Sequence, residues 1–345
     1  MQISFKKKRE IKDDLKLLKI IDKDSKKKGN FSNYGYWRKI RIISLNLLKQ
    51  FGLKDFRGMQ NPSITSYGDN VCLDVSFGFN FGILKFLKWT INNLYPINKI
   101  FKDQVSLSEA TYLKFIKCKA RLIEKDSKVI RLINKYDLSI DTLRGGCHTY
   151  SEFKGKKISH HYIETLNTID YISKKINLPS KKTLFEIGGG FGVFTHLAIE
   201  LFNIKKVIFL EISPALYVAT QYLKSFYGDC VIDYSKTRFK NKITFSNNDK
   251  LEIFCILPHQ IDLVETQVDL FHNEHSFSIM NQKIIREYLL RIKKILSKSG
   301  EIVLVENPTN MIKTNFSFNN ITDLFLLDFK IRNFKKDTLY EREIP

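Results

Sequence analysis

Cysteine is scarce in this 345-residue chain: Cys72, Cys118, Cys147, Cys230 and Cys255 stand far apart, and no two form a CxxC pair. That spacing excludes a disulfide scaffold and leaves no thiolate zinc knot or dithiol redox motif. Long apolar runs are also missing. Lys85 and Lys88 interrupt the Phe81–Ile91 region, and Lys293 and Lys294 interrupt another, so no stretch reaches the ~20 residues that a membrane helix needs. The first residues, MQISFKKKREIKDDLK, lack the apolar centre of a secretory signal. A reduced, cytoplasmic setting is the expectation. No HxH pair or acidic cluster points to a metal site, although magnesium assistance stays open.

What the chain has in excess is positive charge. Lys and Arg number 57 against 36 acidic residues, giving a formal charge of +21. Long-range electrostatics of that sign favour nucleic acid, anionic lipid surfaces or phosphate-bearing substrates. The lysines are scattered, however, and accompany abundant Ile, Asn and Phe, the pattern that A- and T-rich codons produce. Nucleic acid is therefore not the expected partner.

Three regions follow from the patterning. Residues 1–30 carry Lys6, Lys7, Lys8, Lys26, Lys27 and Lys28 around the helical spacing Ile11, Leu15, Leu18 and Ile21, and read as a solvated helix or tail, with a basic arm for RNA or membrane as the alternative. Residues 31–155 read as mainly helical, with helices near Tyr34–Lys54, Ser106–Glu124 and Lys128–Tyr136 and a Gly-, Pro- and Ser-rich loop at Phe56–Asn70. From about 156 to 345, after a helix at Ser159–Lys175, short apolar runs alternate with amphipathic helices, the signature of βαβ units and a mostly parallel sheet. Strands are expected at Leu184–Ile187, Lys206–Glu211, Leu251–Leu257, Val268–His272 and Glu301–Glu306. Helices are expected at Phe191–Leu201, from an N-capping Ser213 with Pro214 at the first position, and at Asn281–Ser299 closing on Gly300. Ile321–Phe334 should hold the last helix and strand.

The chemistry concentrates in FEIGGGFG, where Glu186 ends a strand and Gly188, Gly189, Gly190 and Gly192 form the turn into a helix. Glycines serve there because a Cβ would block a tight turn and hold the backbone away from a ligand. A dinucleotide fingerprint, GxGxxG, would need glycine at Val193. The spacing E-x-G-x-G-x-G instead matches the first motif of S-adenosylmethionine-dependent methyltransferases. Glu211 at the end of the next strand is placed to accept hydrogen bonds from a ribose. Pro258 and His259 follow the third strand, where an adenine would sit, and a plain turn is the competing reading.

The fourth strand runs into VDLFHNEHSFSIM, putting His272, Asn273, Glu274, His275 and Ser276 at the carboxyl edge of the sheet, where ligands bind in such folds. Methylating an alcohol requires a base for the hydroxyl proton, and His275, Glu274 and His272 are the candidates. Asn273 is a further candidate cofactor contact. No DPPY- or NPPY-type motif is present to grip a nucleobase amino group. His160 and His161 could face the mouth, but at a helix start they read rather as surface or capping residues, and His196 reads as structural.

EIGGGFG with THLAIELF, KKVIFLEISPAL and VDLFHNEHSFSIMN together resemble the sugar O-methyltransferases of bacterial surface-polysaccharide gene clusters. That family tends to show N-x-x-S-F-x-E-M after the fourth strand and upstream Phe-Arg and Gly-x-x-I-S elements. Their counterparts are Asn273, Ser276, Phe277 and Met280, then Phe56-Arg57 and Gly155–Ser159, with Ile279 replacing the family's acid. The resemblance implies a Rossmann-like class I methyltransferase fold preceded by a mainly helical region, S-adenosylmethionine as cofactor, and a saccharide or nucleotide-sugar acceptor, with peripheral contact to an anionic membrane or lipid-linked glycan. Two other functions compete: RNA methylation or binding, and a non-catalytic S-adenosylmethionine-binding scaffold.

Overall fold

The computed structural model describes residues 10–27, 35–58, 116–118, 120–138, 140–277, 280 and 282–305. Most of the expected loop after Gly58, the helix over 106–115, the material at 321–334, and Cys72, Ser278 and Ile279 lie outside the described residues.

The described elements begin with helices α1 (Leu15–Lys27), α2 (Gly35–Phe51) and α3 (Ser127–Tyr136). A hairpin of β1 (Tyr150–Phe153) and β2 (Lys156–Ser159) then leads into α4 (His160–Ser173). The hairpin was not expected. Its two-residue turn, Lys154-Gly155, has both φ values positive, at 51° and 79°, which is the backbone a tight antiparallel turn requires.

Five parallel strands follow, β3 (Thr183–Ile187), β4 (Lys206–Leu210), β6 (Glu252–Ile256), β7 (Val268–Glu274) and β8 (Leu296–Val305), with the short β5 (Val231–Ile232) on one edge. Their order is β5-β6-β4-β3-β7-β8. The chain works outward from β3 in one direction and then returns to its other side, so the order reverses between β3 and β7. Crevices for ligands open at that reversal in doubly wound sheets.

The strands TLFEI, KVIFL and EIFCI are almost continuously apolar because helices cover both faces. Alternate side chains divide between two cores. Leu184, Val207, Phe209 and Leu270 pack with α4, α5 (Val193–Phe202) and α6 (Ala215–Tyr227). Phe185, Ile208 and Phe271 pack with α8 (Gln282–Ile295), through Ile285, Tyr288 and Ile292. Between β5 and β6 lies the single-turn α7 (Tyr234–Thr237).

Three expectations change. The amino-terminal helix is not simply solvated: Leu17, Leu18 and Ile21 of α1 are buried in the first core, and the Tyr217 hydroxyl donates to Asp13 at 3.1 Å while accepting from the Asp14 amide at 2.9 Å. Ser213 does not cap α6. The Leu216 amide is already taken by the Ile212 carbonyl at 2.8 Å, and the buried Ser213 hydroxyl meets no hydrogen-bond partner among the described residues. The helix expected to close on Gly300 stops at Ile295, because Leu296 pairs with Val268 and begins β8. Residues 297–300 then bulge opposite Asp269 before Glu301 pairs with Leu270. Among the described residues, no helix is long and apolar enough to cross a membrane.

Candidate functional site

The turn between β3 and α5 is built from left-handed backbone. Gly188, Gly190 and Gly192 have φ of +71°, +60° and +93°, values that cost little only for glycine. At Gly189 the constraint is space: a Cβ would lie 2.5 Å from the Glu186 carboxyl carbon and 2.7 Å from the Phe209 ring. At Gly188 it would overlap the Ser276 side chain. The Gly188 amide donates to the Leu210 carbonyl at 3.0 Å, tying the turn to the end of β4. The result is a half-buried turn at the sheet's reversal point, packed so closely on Glu186, Phe209 and Ser276 that a methyl group at Gly188 or Gly189 would distort it.

Glu186 supports this turn from below. Its carboxylate accepts from the Thr195 hydroxyl at 2.5 Å and pairs with His272 Nδ1 at 3.0 Å. The pairing follows from register, since Glu186 of β3 sits beside His272 of β7. His272 is 0% exposed and stacks on the Phe194 ring at 3.4 Å between centroids. It is thereby corrected as a candidate base: the strand turns it into the core, away from any acceptor. Glu186 is likewise committed to holding Thr195 and His272 rather than pointing outward.

Glu211 lies just past β4 and is only 7% exposed. One carboxylate oxygen accepts from the Gly190 amide at 3.1 Å and the other from the Ile212 amide at 2.7 Å. Burial pushes its pKa up to about 7; the two backbone amides pull it down, and the nearby Glu186 charge adds to the rise. A carboxylate has about four acceptor positions, so capacity remains for hydroxyl donors. A buried acid anchored to the glycine turn has the acceptor positions that a nucleoside's ribose needs.

Asn273 is spent on architecture. Its amide nitrogen donates to the Ile187 carbonyl at 2.8 Å and the Ser276 hydroxyl at 2.5 Å, and its oxygen accepts from the Phe277 amide at 3.2 Å. These bonds fold the segment after β7 back against the glycine turn. Glu274 and His275 come together at the carboxyl end of β7, with His275 Nε2 3.7 Å from the Glu274 carboxylate. The Thr168 hydroxyl of α4 donates to the same Glu274 oxygen at 3.3 Å. The His275 side chain is 46% exposed, and its backbone holds a φ of +60°. A strained, exposed histidine against a carboxylate has the access and the partner that a proton acceptor needs.

Pro258 and His259 begin a 3-10 turn after β6, with Pro258 buried and His259 half-buried. His259 Nε2 lies 3.4 Å from the Tyr234 hydroxyl, which donates to Asp24 of α1 at 3.1 Å. Sequence reasoning missed this chain, since nothing local links Asp24 to residues more than 200 positions away. His161 packs on Phe191 of the glycine turn at 5.3 Å, while His160 is buried and bonded to Ser151 at 3.1 Å. His196 is structural, as expected: it is bonded to the Tyr162 hydroxyl at 2.9 Å, and burial brings its pKa down to about 3. Among the described residues, no group of three His, Cys, Asp or Glu could hold a metal ion.

Residues 152–290, less than half of the chain, match the family described as ribosomal RNA adenine dimethylase. No curated protein is significantly similar in sequence. Solved structures similar to the chain include a mycolic acid cyclopropane synthase complexed with SAH, at 15% identity, 40% of each chain and a TM-score of 0.29. Mitomycin 7-O-methyltransferase is similar at 14% identity, over 48% of this chain and 44% of that one, with a TM-score of 0.28. Plantazolicin methyltransferase in complex with SAH is similar at 11% identity, over 64% of this chain and 77% of that one, with a TM-score of 0.33. The chain spans less than half the length of the first two. With its strand order and glycine turn, the described carboxyl-terminal half has the Rossmann-like fold of class I methyltransferases, and the described residues before the β1–β2 hairpin are mainly helical.

Proposed function

We propose that this protein is an S-adenosylmethionine-dependent methyltransferase that methylates a sugar hydroxyl. The observation that carries the cofactor is the glycine turn, bonded through Gly190 to the buried Glu211 at the sheet's reversal point. Gly188, Gly189, Gly190 and Gly192 would bear the methionine part, Glu211 the ribose, and Pro258 and His259 the base. When bound, S-adenosylmethionine supplies an electrophilic sulfonium methyl. The chain's own task is to hold an acceptor hydroxyl and take its proton. His275 takes that proton, and Glu274, fixed by Thr168 and facing His275 Nε2, stabilises the imidazolium formed. A saccharide or nucleotide sugar suits this site because a hydroxyl needs a base, whereas a nucleobase amine needs acceptors and a stacking platform. The chain would act in the cytoplasm, with a lipid-linked glycan at an anionic membrane as a further acceptor.

RNA methylation is the second reading, favoured by the match over residues 152–290 and by the +21 charge. Against it, Asn273 is 0% exposed with both amide hydrogens donated within the protein, and Phe277 is 0% exposed against Phe271 and Tyr288, so neither is presented to a flipped base.

The test pairs calorimetry with transfer of a labelled methyl. Wild type should bind S-adenosylmethionine and Gly190→Arg should not; equal binding by both sinks the cofactor reading. Label should pass to nucleotide sugars or extracted glycan. Label on RNA instead, lost with rising salt, would replace the sugar by the nucleic acid. Binding without transfer to either would leave a scaffold.

A further inference from the structure

Two upstream sequence elements, Phe56-Arg57 and Gly155–Ser159, play no part in the site as described so far, yet the fold brings them together against its glycine turn. Arg57 is 1% exposed, although arginine is among the residues most rarely buried. Its guanidinium donates to the Thr142 carbonyl at 2.7 Å and to the Ser159 hydroxyl at 2.8 Å. Its backbone amide donates to the Gly145 carbonyl at 2.8 Å. Held in this way, the planar cation lies over the ring of Phe191, 4.8 Å from its centroid. Phe191 is the residue between Gly190, which bonds Glu211, and Gly192, which starts α5. Phe56 meets the same ring edge-on at 5.6 Å.

A turn made mostly of glycine has few side chains by which to be fixed. Phe191 is the one side chain between Gly188 and Gly192, and it is clamped on its face by a cation and at its edge by a ring. Cation–π contacts strengthen when desolvated, and the fork of hydrogen bonds leaves the guanidinium no other orientation. We infer that Arg57 is a positioning residue for the cofactor: through Phe191 it holds the glycine turn in its binding conformation, so that the 53–58 segment and the cofactor site order together. The inference rests on the S-adenosylmethionine reading. It also has a reciprocal consequence, because a ligand that needs the ordered turn must in turn stabilise whatever orders it.

The experiment uses the full chain and S-adenosylmethionine, in calorimetry and in hydrogen exchange, at a temperature where circular dichroism shows each variant folded. In wild type, the ligand should slow exchange at the amides of residues 53–58. Arg57→Lys keeps the charge but loses the planar fork, and Phe191→Leu keeps the hydrogen bonds but loses the ring. Each should weaken binding about tenfold or more and remove the ligand-dependent protection of 53–58. Arg57→Gly should lose binding and regain part of it with added methylguanidinium; if that variant does not fold, the other two decide. A residue that merely stabilised the fold would lower the melting temperature without changing affinity in the folded protein. Affinity and protection unaltered in Arg57→Lys and Phe191→Leu overturn the inference alone. Absence of binding by wild type overturns the cofactor reading and this inference with it.

Discussion

Replacing Glu211 by glutamine separates two consequences of one buried carboxyl. Its folded pKa of about 7 lies above the roughly 4.3 of an unfolded glutamate. Below about pH 4 both states carry the proton and the group is neutral toward stability. As pH rises from about 4 to about 7, the unfolded chain gives up its proton first, so the native state, holding more protons, loses stability. Above about 7 the loss is complete, and at ~1.4 kcal/mol per unit it comes to about 4 kcal/mol. A glutamine side chain cannot ionise, so in the absence of ligand Glu211→Gln should melt higher than wild type above about pH 7, with the difference closing as pH falls toward about 4. The gain will be less than the full ~4 kcal/mol, because one amide oxygen must serve the two backbone donors at Gly190 and Ile212.

Cofactor binding should move the other way. Ribose hydroxyls donate to the carboxylate, so wild-type affinity for S-adenosylmethionine should fall up to about tenfold per pH unit below about 7 and level off above it. At about pH 8 the Glu211→Gln variant loses a charge-assisted acceptor worth about 1.5–3 kcal/mol, or roughly 10- to 100-fold in affinity, and its pH dependence should flatten. Melting curves and calorimetry from about pH 5 to about 8.5 measure both. Equal affinity of the two proteins at the alkaline end, or a melting difference that does not change with pH, would refute the assignment of Glu211 to the ribose and of burial as the cause of its shift.

His275→Ala should leave S-adenosylmethionine affinity within about twofold and lower methyl transfer by roughly 10²–10⁴-fold, read by label incorporation; Glu274→Gln should do the same more weakly. Gly189→Ala drives a methyl into Glu186 and Phe209 and should abolish cofactor binding in calorimetry. Asp24→Ala removes the partner of both the Tyr234 hydroxyl and Arg238, whose guanidinium lies 2.8 Å from it, and should cost about 1–2 kcal/mol in a denaturant melt. A null result there would mean that α1 is held by Leu17, Leu18 and Ile21 and by the Tyr217 bonds to Asp13 and Asp14, without Asp24.

The sheet was legible because its determinants are local. Each central buried strand announces itself as a short run with three or four apolar residues, and Gly188 to Gly192 mark a turn whose geometry few other residues tolerate. The site beyond that turn was less so. His272, Asn273 and Glu274 are consecutive in sequence, yet the two-residue period of a strand sends His272 into the core beside Glu186, a neighbour set by register with β3. Asn273 looked like a ligand contact and proves to be a latch, because the carbonyl it bonds, at Ile187, belongs to another strand.

The same limit explains why the helices before residue 150 could be placed but not put to use. The amphipathic spacing of α1 shows that it has an apolar face but not what that face meets, and Asp24 finds Tyr234 only once the strands and their crossovers have been laid down. Arg57 is the sharper case. In sequence it is one basic residue among many in a chain of charge +21; in the fold it is a buried cation with hydrogen-bond acceptors drawn from positions 142 and 159. Desolvating a guanidinium costs several kcal/mol unless its donors are satisfied, so its bonded burial against Phe191 marks it as unlike the scattered surface lysines. The parallel sheet and the described segment before it are therefore joined at the glycine turn, and the turn is braced by a residue that precedes its sheet by more than a hundred positions.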